Sequence, residues 1–176
     1  MHQRPTPGMS HPEKWLAFVR VVVGLYFVKA LWQKLELVGG VIPIPLASGR
    51  WIETMPKIVA KQASENPILW YKHFLEGTVL QNPALFAHLT AVGETVVGIG
   101  LTLGLLNGLS SAAGLSMALA YGLATQWMSP GQRGFHIVLV ACMIAFFGAR
   151  AGRRWGIDEI IARRKPDSAL AKRPWS

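Results

Sequence analysis

Charge is scarce in this chain. Only 15% of its 176 residues are Asp, Glu, Lys or Arg; set against a typical soluble domain, that is a shortfall of roughly 17 charges. The shortage is local, because from Pro83 to Ala149 the only formal charges are Glu94 and Arg133. An ordinary water-soluble globule is excluded. Cysteine is scarcer still. Cys142 stands alone inside an apolar run, so there is no intrachain disulfide, no Cys-x-x-Cys motif and no cysteine metal cluster, and a thiol relay would need a partner. The sequence also lacks a phosphate loop, a nucleophile elbow, a metalloprotease motif, a His-x-x-x-His pair and a haem-attachment motif. No metal site is read from it.

Acidic residues are outnumbered 9 to 18, which leaves a net charge of +9. In a soluble protein that excess would suggest nucleic acid as a partner. Here the basic residues cluster beside apolar segments, which points instead to membrane topology and anionic lipid headgroups. Nucleic acid is not expected as a partner; a lipid bilayer is. The length allows one domain, or about four spans of roughly 20 residues with one sizeable loop.

The apolar segments fall at about residues 15–38, 83–106, 109–128 and 134–150, with an outer loop over 39–82. No small-x-small cleavage site follows the first, which is far longer than a signal-peptide core, so it reads as an uncleaved span. Asn107-Gly108 reads as a tight turn between the second and third spans, and Ser129-Pro130-Gly131 breaks the chain before the fourth. Lipid offers no water to loose backbone groups, so the spans must be helices. The expected fold is all-α: an integral membrane four-helix transmembrane bundle with two short interfacial helices in the first extracytoplasmic loop. In that loop Trp51, Ile52, Met55, Ile58 and Val59 recur near helical spacing, as do Ile68, Leu69, Phe74 and Leu75. A lid over the bundle accounts for them more simply than a receptor surface. Residues 1–14 and 151–176 are expected as tails, the second basic and carrying a short helix. An even number of spans puts both termini on one side. Arg150, Arg153, Arg154, Arg163, Arg164, Lys165, Lys172 and Arg173 make that side the cytoplasm.

Charges inside spans are costly and usually have a task. On the first span Arg20, Gly24, Phe27, Leu31 and Lys34 follow a 4-3-4-3 spacing and form one stripe. Lys29 lies about 180° round the helix from Arg20. Glu94 is the only acid of the second span. Depth along antiparallel helices favours a Lys29–Glu94 membrane ion pair, whereas the stripe favours Arg20 or Lys34 facing the interior. Glu94 as a buried ion-pair member would simply fix helix register. In the functional reading Glu94, with Arg20 and Lys34, is a proton or quinone site: a ring carbonyl needs a donor, and its reduction needs protons. His88 and His136 enter their helices from the outer side at shared depth. Together they could ligate a haem or a metal, or singly a chlorophyll-type pigment, although lone histidines near helix ends are usually just hydrogen-bonded. Gly100-x-x-x-Gly104 and Gly114-x-x-x-Ala118-x-x-x-Gly122 are read as close-packing faces.

Three stretches carry a family resemblance. Arg20–Leu35, with Arg20, Gly24 and Lys34, resembles the first span of the DoxX-like membrane proteins, which include the DoxD-type small subunit of thiosulfate:quinone oxidoreductase. Gly93–Leu109 places Glu94 where that family has an acid before a glycine-punctuated helix and turn. Gly148–Arg164 is similar to the family's closing Gly-Arg-x-x-Gly-Leu-Asp and basic helix, matched at Gly152, Gly156 and Asp158, with Ile157 in the leucine position. The resemblance implies a four-helix bundle tied to membrane redox chemistry, in a cytoplasmic membrane of bacterial or archaeal type, often as a subunit of a larger complex. It does not imply thiosulfate as substrate.

Three functions follow as expectations. The first is a mainly structural, accessory subunit of a quinone-linked, respiratory or photosynthetic electron-transfer complex. The second is a quinone-binding oxidoreductase subunit using Glu94 with Arg20 and Lys34. The third, a small transporter, is weakened because four short spans show no paired broken helices.

Overall fold

In the computed structural model, residues 12–38, 42–171 and 174–175 are described. The expected tail over 1–11, with His2 and His11, and Lys172 and Arg173 of the basic tail lie outside them. Four long helices carry the architecture: α1 (Pro12–Trp32), α4 (Pro83–Leu103), α5 (Asn107–Thr125) and α6 (Pro130–Gly148). Each of α1, α4 and α6 begins on a proline, which loses nothing at a first-turn position whose N–H has no helical partner. The Ser129 hydroxyl adds a cap to α6 by accepting the Gln132 N–H at 3.1 Å. α1 packs chiefly on α4, α4 on α5, and α5 on α6.

Small residues set the closeness of those contacts. A Cβ on Gly24 would fall 2.5 Å from the Thr102 backbone nitrogen, and one on Gly98 would fall 3.1 Å from Val28. α1 and α4 therefore approach to backbone distance. Between them and the other helices lies an apolar core of Phe27, Val97, Leu101, Ala118, Leu139, Met143 and Phe146. The outward faces are also apolar: Leu85, Val92 and Ile99 on α4 and Ile137, Val138 and Ile144 on α6 are exposed. Apolar side chains both inside and outside the packing suit lipid as the surrounding solvent. Among the described residues α1, α4 and α6 are long and apolar enough to cross a membrane.

The chain between α1 and α4 departs from expectation. The first helix was expected to run to residue 38, but it stops at Trp32, and Leu35–Val38 (β1) pairs antiparallel with Ile42–Ala47 (β2). Glu36 lies opposite Ile44 and Leu37 opposite Pro43. The fold is thus all-α save for this one hairpin. Both strands are edges, the only setting in which Pro43 and Pro45 are tolerated. Two helices follow, α2 (Gly49–Ser64) and α3 (Leu69–Phe74), the latter continued by a π-helical turn over Leu75–Val79. Met55, Val59 and Ala63 of α2 pack with Tyr71, Leu75 and Val79 onto Ala87, Ala91 and Ala124. This segment closes one end of the helix assembly.

The other end is closed by the chain after α6, where a 3-10 turn (Ala151–Arg153) leads into α7 (Ile157–Arg164). The Asn107-Gly108 turn is also corrected. α4 ends on Gly104, whose φ of 62° needs no Cβ to avoid, and the turn is Gly104–Leu106. Asn107 is already the first residue of α5 and is buried.

Candidate functional site

Between the four long helices and the α2–α3 segment lies a cavity of about 990 Å³. Its walls are mostly apolar and aromatic, from Phe27 on α1, Trp51 and Met55 on α2, Phe86 on α4, Met117 on α5 and Phe135 on α6. Glu94 lies on one wall. It is 2% exposed, and its Oε1 accepts from Lys34 Nζ at 2.5 Å and from the Tyr121 hydroxyl at 3.0 Å. Lys34 Nζ also sits 4.7 Å from the centre of the Trp51 ring, within cation–π range. A buried carboxylate is tolerable only when it is paired and hydrogen-bonded; here an ammonium and a phenol do this from two different elements.

Lys29 is not part of the cluster. The Lys29–Glu94 pair assumed equal depth, but Gly24 lies against Thr102 and Val28 against Gly98. That register puts Glu94 level with Trp32, one helical turn further along α1 than expected. Lys29 is exposed. Lys34 reaches Glu94 from beyond the end of α1, where the chain has left the helix.

The structure does not bring Arg20 to Glu94 either. Arg20 is fourteen residues before Lys34, about 20 Å along the axis at 1.5 Å per residue. It is fully buried at the opposite end, where its Nη2 donates to the Trp155 carbonyl at 3.0 Å. Beside it, buried Asp158 accepts the Leu106 N–H at 2.9 Å and the Asn107 N–H at 2.8 Å. Leu106 has no capping side chain of its own, so Asp158 serves as the N-cap of α5 from fifty residues away, with the helix dipole favouring its charge. Burial pushes the Asp158 carboxyl above its ordinary value; the two N–H donors, Arg20 and Arg153 act against that rise. Glu13 and Arg154 also pair across this end at 3.9 Å. This cluster ties α1 to the closing helix α7, and Arg20, Asp158, Glu13 and Arg154 are not among the residues that line the cavity.

The two histidines do not meet in a joint site. His88 Nδ1 accepts the Ala47 N–H at 3.1 Å, which hangs the hairpin on α4. His136 lines the cavity, 8% exposed, with Nε2 at 3.0 Å from Thr125 Oγ1. Among the described residues no group of three or more His, Cys, Asp or Glu is arranged to hold a metal ion.

The closing segment from Gly148, the buried Arg20 and the Glu94 cluster are the three places that carry the family resemblance, and the family's sequence profile, described as "TQO small subunit DoxD", matches residues 15–175. The chain belongs to the DoxD family. It is a membrane protein. No curated protein matches the chain, and neither does any solved structure. Within this DoxD-family chain, two site residues were missed from sequence. Tyr121 sits among alanines, leucines and glycines of α5, and its only signal is that a phenol in an apolar helix needs a partner for its hydroxyl. Trp51 was read as part of a short interfacial helix in a lid over the bundle and given no part in a site, yet it forms cavity wall and packs against Lys34.

Proposed function

We propose that this chain is the quinone-binding membrane subunit of an electron-transfer complex, with the headgroup of the quinone held in the cavity beside Glu94. The observation that carries this reading is one buried ionic cluster, Lys34–Glu94–Tyr121, on the wall of an otherwise apolar cavity. A few convergent polar groups in an apolar chamber are the general form of a small-molecule site. Several side chains of the lining are exposed apolar groups (Tyr26, Ile58, Phe74, Leu89 and Phe135), which suits a ligand whose tail stays in lipid. Electrons reach the ring from a reduced centre on a partner subunit. Lys34 polarises the nearer carbonyl by its charge, and Glu94 with Tyr121 supplies a proton path to it.

The same reading includes the topology. α5 crosses the membrane as a fourth span despite its polar residues, because Asn107, Ser110, Ser111 and Thr125 are buried within the protein while Leu109 and Leu119 face outward. The basic residues from Arg150 to Lys165 favour the cytoplasmic side for that end and for the start of α1. The α2–α3 segment lies at the opposite interface, where Trp70 and Leu69 are exposed beside Lys72. An accessory role in the complex is compatible with all of this, since the chain would hold the quinone while its partner holds the electron donor.

The test is photolabelling of the membrane-embedded complex with an azidoquinone, followed by peptide mapping. Labels on cavity residues such as Met117, Phe135 or Trp51, lost in Glu94→Gln, are expected. Labelling confined to other surfaces would overturn the reading.

A further inference from the structure

Three of the four seams between the long helices are drawn tight by glycine. Gly24 brings α1 against the Thr102 backbone of α4, Gly93 brings α4 against the Met117 side chain of α5, and Gly114 brings α5 against Met143 of α6. The fourth seam, between α1 and α6, has no such contact among the described residues. These two helices meet only sparsely. A Cβ on Gly134 of α6 would meet nothing within 4 Å, and one on Gly131 would meet only the Ser129 hydroxyl that caps its own helix.

What spans this seam is a pair of aromatic rings. Tyr26 of α1 and Phe135 of α6 touch, with ring centres 5.3 Å apart and planes tilted by 55°. Each lies roughly one and a half turns inside its helix from the end that the α2–α3 segment closes. Both line the cavity and both are exposed, Tyr26 at 49% and Phe135 at 39%. The pair therefore stands between the cavity and the outer surface. One turn further along the same faces Val22 and Val138 are exposed as well, so an apolar strip continues outside, running away from the α2–α3 end. The other exposed lining residues are placed differently. Phe74 packs on Tyr71 at 5.7 Å and edge-on against Phe86 at 6.2 Å, so aromatic packing joins α3 to α4 there. Ile58 lies on the segment assigned above to the interface.

Rings in contact leave no passage, so one must turn aside for a chain to pass. Phe135 has the room to do so. A helical side chain leans over the residue four positions before it. Here that residue is Gly131, whose vacant side-chain position meets no other helix within 4 Å.

We propose that the ligand enters from the lipid between α1 and α6, with Tyr26 and Phe135 as the gate, and that its apolar tail stays in that seam once the headgroup is seated. This rests on the quinone reading above and adds the route and the side chains that hold the tail.

The experiment uses the full chain in lipid nanodiscs and a ubiquinone analogue whose decyl tail carries a diazirine midway along it. The labels that excess untagged analogue competes away should fall on the peptides holding Val22 and Tyr26, and Phe135 and Val138. Competed labels confined to the α2–α3 segment or to the outward faces of α4 and α5 would overturn the proposal. The rate of binding is then read from the quenching of tryptophan emission, since Trp51 stands on the cavity wall. Cys142→Ser removes the native thiol. In that background Tyr26→Cys and Phe135→Cys, joined by a short bis-maleimide, should slow binding at least about tenfold against the same protein before cross-linking. Gly131→Leu, which fills the room for the Phe135 ring, should slow it about threefold or more, and serves if the double-cysteine chain does not fold. Rates unchanged within about twofold would overturn the gate and leave the quinone site standing. No quenching in the parent chain would overturn both.

Discussion

Replacing Asp158 with alanine removes the acceptor for two backbone donors at once, one buried and one half-buried. The Leu106 and Asn107 N–H groups begin α5, and each donates to one oxygen of this carboxylate. An orphaned buried donor costs about 1–3 kcal/mol, so the pair should cost about 4 kcal/mol in the middle of that range. For a chain of this size each kcal/mol lowers the midpoint by roughly 2–4 °C, which gives a fall of roughly 8–16 °C. Asp158→Asn keeps one acceptor and should show about half of it. The assay is thermal unfolding in mild detergent, followed by intrinsic tryptophan emission, with the parent and both variants at one protein and detergent concentration. Matching midpoints, within about 2 °C, would refute the capping argument. So would an Asn variant less stable than the Ala variant.

Further outcomes follow from the same geometry. Gly24→Val should drive α1 from α4, because a Cβ there meets the Thr102 backbone nitrogen at 2.5 Å; a loss of about 1–3 kcal/mol or more is expected, checked by the yield of monodisperse protein and its midpoint. His88→Phe should loosen the hairpin by removing the acceptor of the Ala47 N–H, seen as faster amide exchange at Ala47, and should leave quinone affinity and the visible spectrum unchanged; loss of a chromophore would restore His88 as a cofactor ligand. Burial raises the Asp158 carboxyl above its ordinary value, so its ionisation costs more in the fold than in the unfolded chain. Its stabilising contribution is therefore complete below pH 3.8, its ordinary value, and is lost as pH rises through the higher folded value. The advantage of the parent over Asp158→Asn should accordingly shrink from pH 4 to pH 7, in midpoints measured at both. A gap that widens instead would show that the two N–H donors and the arginines outweigh burial.

What could be read from the sequence was whatever depends on composition and short-range period. Apolar runs gave the long helices, and the 4-3-4-3 stripe gave the buried face of α1, where Arg20, Gly24, Phe27 and Leu31 are all inside. The residues of the ionic cluster were half legible: Glu94 was evident as a lone acid, but its partner was left between three cations. The choice turned on a helix–helix register fixed by Gly24 and Gly98, and on α1 ending at Trp32 so that Lys34 could turn inward from non-helical chain. Hydropathy cannot see either. The hairpin was hidden by its own prolines, which weaken a strand pattern except at an edge. The role of Asp158 was hidden by distance, since a cap is ordinarily sought beside its helix. His136 offered a lone imidazole to sequence reading; only the folded chain brings it to the Thr125 hydroxyl.

The way α5 is capped bears on the order in which the protein is made. Helices α1 to α6 leave the ribosome before Asp158 does, so α5 is inserted with its first N–H groups open and Arg20 waiting for the Trp155 carbonyl. Only when the last segment is synthesised and folds back does the molecule become complete at that end. The closing residues are thus the last to supply partners to groups laid down much earlier in the chain. A chain ending before Trp155 would have every long helix in place and still lack the partners of Arg20 and of the first N–H groups of α5.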